Sequence, residues 1–326
     1  MDVPATSLVK ERENSMPDKL SLEFQTRFSN RLIFDQAVFR RIDPSAKLNE
    51  HTEHHPLSSS AACLNVIGSI SREPAELQKF LASFGLEVEE VYEFHSGFDF
   101  GGLTYRDEGF VIFEWIGPKV SPINEDGSNR GQMRTSVDAF LLGRVNGRAT
   151  QILIEWKFTE GQNNSLALGK FCGGQGVERL TRYARVLADL RHQHDLPFDF
   201  EEEDRARNSK LAVGLYDFSP DHMYQLLRMT LLAKMTIGMK LGDHTLEDYR
   251  IVHLTHSQNA AINILDSDYL VYSPGLQQFS GKALHEVWRG LLSAKEKEKF
   301  VCGHWDNAIN ILKDGELRAY LTERYA

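Results

Sequence analysis

The most regular alternation of apolar and polar positions runs from Thr135 to Glu160. Val137, Ala139 and Leu141, and then Ile152, Ile154, Trp156 and Phe158, fall on every second position, the period of a strand. Between the two runs stands Asn146-Gly147, the dipeptide that best tolerates positive φ at both centres of a type I′ turn. Such a turn fixes a register. Val145 faces Arg148, counting outward sets Asp138 against Glu155, and Lys157 falls on the face they share. The hairpin is therefore predicted to have one apolar, core-forming face. Its other face carries two carboxylates and an amine near the open end.

Around the hairpin, the pattern predicts a helix over Ser58 to Ile70, with Ser58 to Ser60 as candidate N-caps and Ala61, Leu64 and Ile67 at helical spacing. A second helix runs from Pro74 to Phe84 and stops at Gly85. Val111 to Trp115 reads as a strand in which Glu114 interrupts an apolar run. A loop rich in Pro, Gly and Asn follows, Gly117 to Gly131, and delivers Arg130 and Arg134 just ahead of Asp138. Phe171 to Gly174 leads into a helix ending near His192, with Gln175 and Arg179 at its start and Leu180, Tyr183, Ala184 and Leu187 as its inner stripe. Lys210 to Phe218 reads as a buried strand, Pro220 to Lys234 as a helix and Tyr249 to Leu254 as another strand. Gly281 to Leu292 and Glu296 to Leu312 read as helices, with Trp288 and Trp305 as core residues. Residues 1–55 lack this order and are read as an arm on a domain spanning 56–326. His51, His54 and His55 have no matched Cys or carboxylate spacing and read as a solvated loop, as does the acidic run Asp199 to Asp204.

Composition changes this picture little. A chain of 326 residues, 41% hydrophobic and 25% charged, is an ordinary globular protein. No apolar run approaches a membrane span, and no basic segment followed by an apolar core opens the chain as in a signal peptide. Cys63, Cys172 and Cys302 are odd in number and widely spaced, so they form neither a disulfide framework nor a zinc site; they fit a reducing, cytoplasmic setting. Charge changes more. The net charge of −9 argues against a protein that coats nucleic acid. Yet from Arg130 to Arg191 ten Lys and Arg stand against five acids. That local surplus reads as a cleft for a polyanion or, over Arg179 to Arg185, as solvated helix charges.

The chemistry lies at the open end of the hairpin. Two carboxylates set opposite each other are destabilising unless something binds between them, and a hard divalent cation such as Mg²⁺ takes oxygen ligands together with substrate phosphate oxygens. The competing reading is an ion-pair ladder in which Lys157 only balances Glu155. Glu114 is either a further metal or water ligand or the partner of an Arg from the 130s loop. Arg130 and Arg134 either hold a phosphate or neutralise the carboxylates.

Asp138 followed by Glu155-Trp156-Lys157 on the next strand resembles the PD-(D/E)XK nuclease superfamily, the fold of many restriction endonucleases. The runs Leu57 to Asn65, Arg130 to Asp138, Ile154 to Glu160 and Tyr224-Gln225-Leu226-Leu227-Arg228 look like a bacterial restriction-endonuclease-like branch of it. The resemblance covers roughly residues 56 to 265; Val137 stands where the pattern has a Pro. It implies an α/β fold with a central mixed sheet flanked by helices, an N-terminal arm and C-terminal helices. It further implies Mg²⁺, with Mn²⁺ as substitute, on Asp138, Glu155 and the backbone carbonyl of Trp156. Lys157 would orient the attacking water, with Gln175 or Arg179 lending a polar group from the following helix. The implied substrate is the DNA phosphodiester, with a possible homodimer acting in restriction or DNA processing. A nuclease fold that binds nucleic acid without cutting it, and a hydrolase of small phosphates, are the alternatives.

Overall fold

The structure, a computed structural model, describes residues 58–127, 134–160, 169–199 and 213–325, with 33–35, 37, 38 and 42 ahead of them. Arg130, the three histidines of the leading arm and most of the acidic run after Asp199 lie outside the described residues.

Strands β5 (Val137–Val145) and β6 (Arg148–Trp156) form the expected hairpin. Asn146 and Gly147 take φ of 51° and 74°, as a type I′ turn requires. Val145 pairs with Arg148, and the ladder runs to Ala139 opposite Ile154, one step short of Asp138 and Glu155. The expectation of a single apolar face needs correction. Ala139, Leu141, Ile152, Ile154 and Trp156 belong to one core, while Phe140, Leu142 and Leu153 on the opposite face belong to a second. The hairpin is the middle layer of a three-layer α/β fold, so its polar residues are enclosed rather than solvated.

The sheet grows from this hairpin in both directions. Beside β5 lie two short antiparallel strands, β1 (Glu90–Val91) and β4 (Ile112–Trp115); the hairpins β2 (Phe98–Phe100) with β3 (Leu103–Tyr105), and β7 (Lys240–Leu241) with β8 (His244–Thr245), stand apart from it. Beside β6 lie the parallel strands β9 (Asp248–Thr255) and β10 (Phe300–His304), which makes the sheet mixed. One face is covered by α3 (Gly173–His192), α4 (Asp221–Met235) and α5 (Leu284–Leu291). The other is covered by α1 (Ser59–Cys63), α2 (Pro74–Ala82) and α6 (Gly315–Tyr325). Ser58 caps α1, accepting from the Ala61 N–H at 3.2 Å, and the helix widens into a π-helical turn over Leu64–Gly68. Among the described residues no helix is long and apolar enough to cross a membrane.

Two expected elements differ. In place of a helix over Glu296 to Leu312 the chain forms β10 and then a 3₁₀ turn, Trp305–Ile311. A short apolar run such as Phe300-Val301-Cys302 reads as either element, and the open edge of β9 decides it by offering a full parallel ladder. In the expected strand Lys210 to Phe218, residues Leu215–Phe218 instead make a 3₁₀ turn, because Asp217 accepts from the N–H groups of Gly214 and Gly275 and curls the chain.

Strand β1 lies so close to β5 that a Cβ on Gly143 would stand 2.6 Å from the carbonyl oxygen of Glu90. Gly143→Ala should therefore lower stability by about 1–3 kcal/mol, the scale of overpacking. Urea unfolding measures it, and an unchanged midpoint would show that β1 yields freely.

Candidate active site

Three neighbouring strands bring acidic side chains to one level. Asp138 is the second residue of β5, Glu155 the penultimate residue of β6, and Lys157 follows that strand. From the other side, β4 pairs Phe113 with Ala139 and Trp115 with Val137, which leaves Glu114 level with Asp138. Glu114 has φ of 53°. That left-handed backbone costs a non-glycine residue about 1–3 kcal/mol and turns up most often at functional sites. The reversal carries Trp115 off the face of Phe113 and onto Phe140, with ring centroids 4.1 Å apart.

Glu155 is 4% exposed and Lys157 6%, while Asp138 and Glu114 are half-buried. Asp138 Oδ2 accepts from the Trp156 N–H at 2.7 Å, Ser136 Oγ donates to Glu114 Oε2 at 2.5 Å, and Lys157 Nζ lies 2.7 Å from Glu155 Oε1. Burial first, then the charges of Glu155 and Glu114, push the Asp138 carboxyl well above the usual carboxylate range, against the pull of Lys157 and the Trp156 N–H. Burial alone would neutralise Lys157, yet Glu155, Glu160 and Asp138 raise its pKa above the ordinary lysine value and keep it an ammonium. The fully buried thiol of Cys63 on α1 is pushed up by burial and then by Asp138, Glu114 and Glu155, so it is an unreactive wall of the site. Lys157 pairs with Glu155 as the ion-pair reading expects, but the pair is buried rather than at the surface.

The exit of β6 is clamped. The Phe158 N–H donates to Ser59 Oγ and Glu160 Oε2, Ser59 Oγ donates to Glu160 Oε2 at 2.5 Å, and Asn259 Nδ2 donates to the carbonyls of Phe158 and Glu160. Trp305 Nε1 donates to the Lys157 carbonyl, and the indole of Trp156 stacks on that of Trp305 on the far face of the sheet. Trp156 thus faces the row with its backbone alone.

The arginines and the following helix stand differently. Arg134 is buried, and its guanidinium donates to the carbonyls of Pro118, Lys119 and Gly127. These bonds tie the preceding loop down. Glu125 in that loop accepts from the N–H and Oγ1 of Thr135, from Tyr183 OH and from Arg228 Nε, a buried junction of loop, strand, α3 and α4. Gln175 is exposed at the start of α3 and meets Arg179, which also donates to the Lys170 carbonyl. Among the described residues no hydrogen bond or ion pair joins either of them to Asp138, Glu155 or Lys157. Nor do any three His, Cys, Asp or Glu side chains there already form a metal cage; Asp138, Glu155 and Glu114 each engage a protein donor.

The sequence reading missed Ser59, Glu160 and His253. Glu160 follows Lys157 closely and was within reach of a pattern search. Ser59 and His253 meet the site only through packing.

Compared with family models, residues 14–326 match the one described as Restriction Endonuclease associating with ARP, REase-ARP. The chain belongs to this family. No curated protein and no solved structure matches it. Membership places this REase-ARP chain among restriction-endonuclease-like proteins, and a mixed central sheet flanked by helices is compatible with such a core.

The Asp138 carboxyl gives a pH signature. A folded pKa above the unfolded value of about 3.9 means a stability contribution fully present below that pH and lost as pH rises through the folded value. In EDTA, the stability of the wild type relative to Asp138→Asn should therefore decline from about pH 4 upward. Melting curves across this range check it; parallel slopes for the two proteins would refute it.

Proposed function

We propose that this REase-ARP protein is a metal-dependent endodeoxyribonuclease of the PD-(D/E)XK type, hydrolysing DNA phosphodiesters in restriction or DNA processing. One observation carries the reading: Asp138 and Glu155 are level and mutually repelling, Glu155 buried and Asp138 half-buried, with Lys157 held as an ammonium beside them. A fold that needed no ligand there would not keep so many carboxylates out of water with one amine among them. Family membership supports a nuclease role, and the family's description names association with ARP.

The donor set fits Mg²⁺ or Mn²⁺. Asp138 and Glu155 supply hard oxygens, with the Trp156 carbonyl on the same backbone and Glu114 within the row. When bound, the metal lowers the pKa of a coordinated water and polarises the phosphoryl group. The protein's part is positional and electrostatic. Lys157 Nζ, held protonated, donates hydrogen bonds to the attacking water and to the phosphoryl oxygens as charge builds on them; it is no base at neutral pH. The clamp of Ser59, Glu160 and Asn259 fixes the segment that carries it.

Plasmid DNA incubated with the purified protein should be cut with Mg²⁺ or Mn²⁺ and left intact in EDTA. Lys157→Ala should slow cutting by about a hundredfold or more, the scale of one lost transition-state donor. Because an ammonium is not a ligand, that variant should keep the rise in melting temperature that metal gives the wild type. Cleavage in EDTA, or wild-type cutting by Lys157→Ala, would sink the reading. Metal-stabilised protein that binds DNA and never cuts it would favour a binding module.

A further inference from the structure

Across the parallel ladder of β6 and β9, Glu155 is paired with His253. Residues so paired stand side by side on one face. The level that runs from Glu114 through Asp138 to Glu155 therefore continues into an imidazole. His253 is as deeply set as its neighbours, at 1% exposure. Its Nδ1 lies 2.8 Å from Nε2 of His285 on α5, with the two rings nearly perpendicular. His285 in turn packs against Phe300 of β10, on the side of β9 away from β6. With Nδ1 engaged by His285, Nε2 is the ring nitrogen that remains for another partner. No protein hydrogen bond reaches that Nε2 among the described residues.

Burial and the neighbouring cations keep both rings neutral. His253 is held well below the usual histidine range by its burial, by His285 and His222, and by Lys157; burial, His304 and Arg289 push His285 down to about 4. A neutral imidazole has one N–H and one lone pair. In the tautomer that donates from His285 Nε2 to His253 Nδ1, His253 carries its own proton on Nε2.

We propose that His253 is a further substrate-contacting residue of this site: its Nε2–H donates a hydrogen bond to a non-bridging oxygen of the phosphodiester beside Lys157, and His285 is the positioning residue that sets its tautomer and angle. The proposal rests on the phosphodiesterase reading above. It gives the site a neutral donor on the side opposite Asp138, which stabilises the phosphoryl group without adding repulsion to Lys157.

The first test needs no activity. Nitrogen-15 NMR of the metal-free protein should show His253 with a bare, hydrogen-bonded Nδ1 and a protonated Nε2; the opposite tautomer overturns the proposal. The second compares His253→Gln, whose amide can donate from near the position of Nε2, with His253→Leu. The Leu variant should lose about a hundredfold in kcat at unchanged KM and unchanged metal-dependent stabilisation, while Gln stays within about tenfold of wild type. Equal loss in the two variants, or none in either, removes the donor role. If the wild type and Lys157→Ala behave as nuclease and dead variant while the His253 variants do not separate, this proposal alone fails. A wild type that never cuts takes the phosphodiesterase reading down with it.

Discussion

The constraint on which the structure turns is the desolvation of like charges at one level of the sheet. Asp138 and Glu155 oppose each other because the Asn146-Gly147 turn leaves no other register, and both faces of the hairpin are covered by helices. Glu155 is buried and Asp138 half-buried, so solvent relieves their charges only in part. The surroundings answer with fixed donors: a backbone N–H for Asp138, an ammonium for Glu155 and a hydroxyl for Glu114. Each answer is partial, and Asp138 remains pushed toward its neutral form. The metal proposed above would relieve that repulsion.

The elements around it supply rigidity. Glu125, Thr135, Tyr183 and Arg228 join in a buried junction that ties the loop before β5 to α3 and α4, and Arg134 spans the same loop by its carbonyls. Breaking such a buried pair leaves an uncompensated charge, so the network favours one loop position over others. On the opposite side, Ser59 and Asn259 hold the chain where it leaves β6. The proposed nuclease site would need its groups placed to a fraction of an ångström, and they stand on strands braced from both ends.

The charge distribution and the family agree on the kind of partner. The segment carrying the site is basic within an acidic chain, and REase-ARP is a restriction-endonuclease family. The arginines that sequence reading offered to a phosphate divide otherwise: Arg134 is spent on backbone carbonyls, and Arg179 sits with Gln175 at the exposed start of α3. Positive charge counted along a chain says little about where each guanidinium ends, because a long side chain takes whichever acceptors the packing brings within reach.

What the sequence alone determined is what local geometry controls. A two-residue turn and a period of two set Asp138 against Glu155 and sent Lys157 to the same face, and the apolar surroundings of Trp288 and Trp305 marked them as core. These follow from dihedral preferences and alternation, which act over a few residues. Only the tertiary structure decided the rest. Strand β9 reaches β6 through a long crossover whose sequence carries no register, so His253 came beside Glu155 unannounced. The edge left by β9 turned Phe300 to His304 into a strand, and packing of Trp115 on Phe140 accompanies the reversed backbone at Glu114. Burial on the second face of the hairpin, which alternation within one strand pair does not reveal, converted an exposed-looking ion pair into a desolvated one.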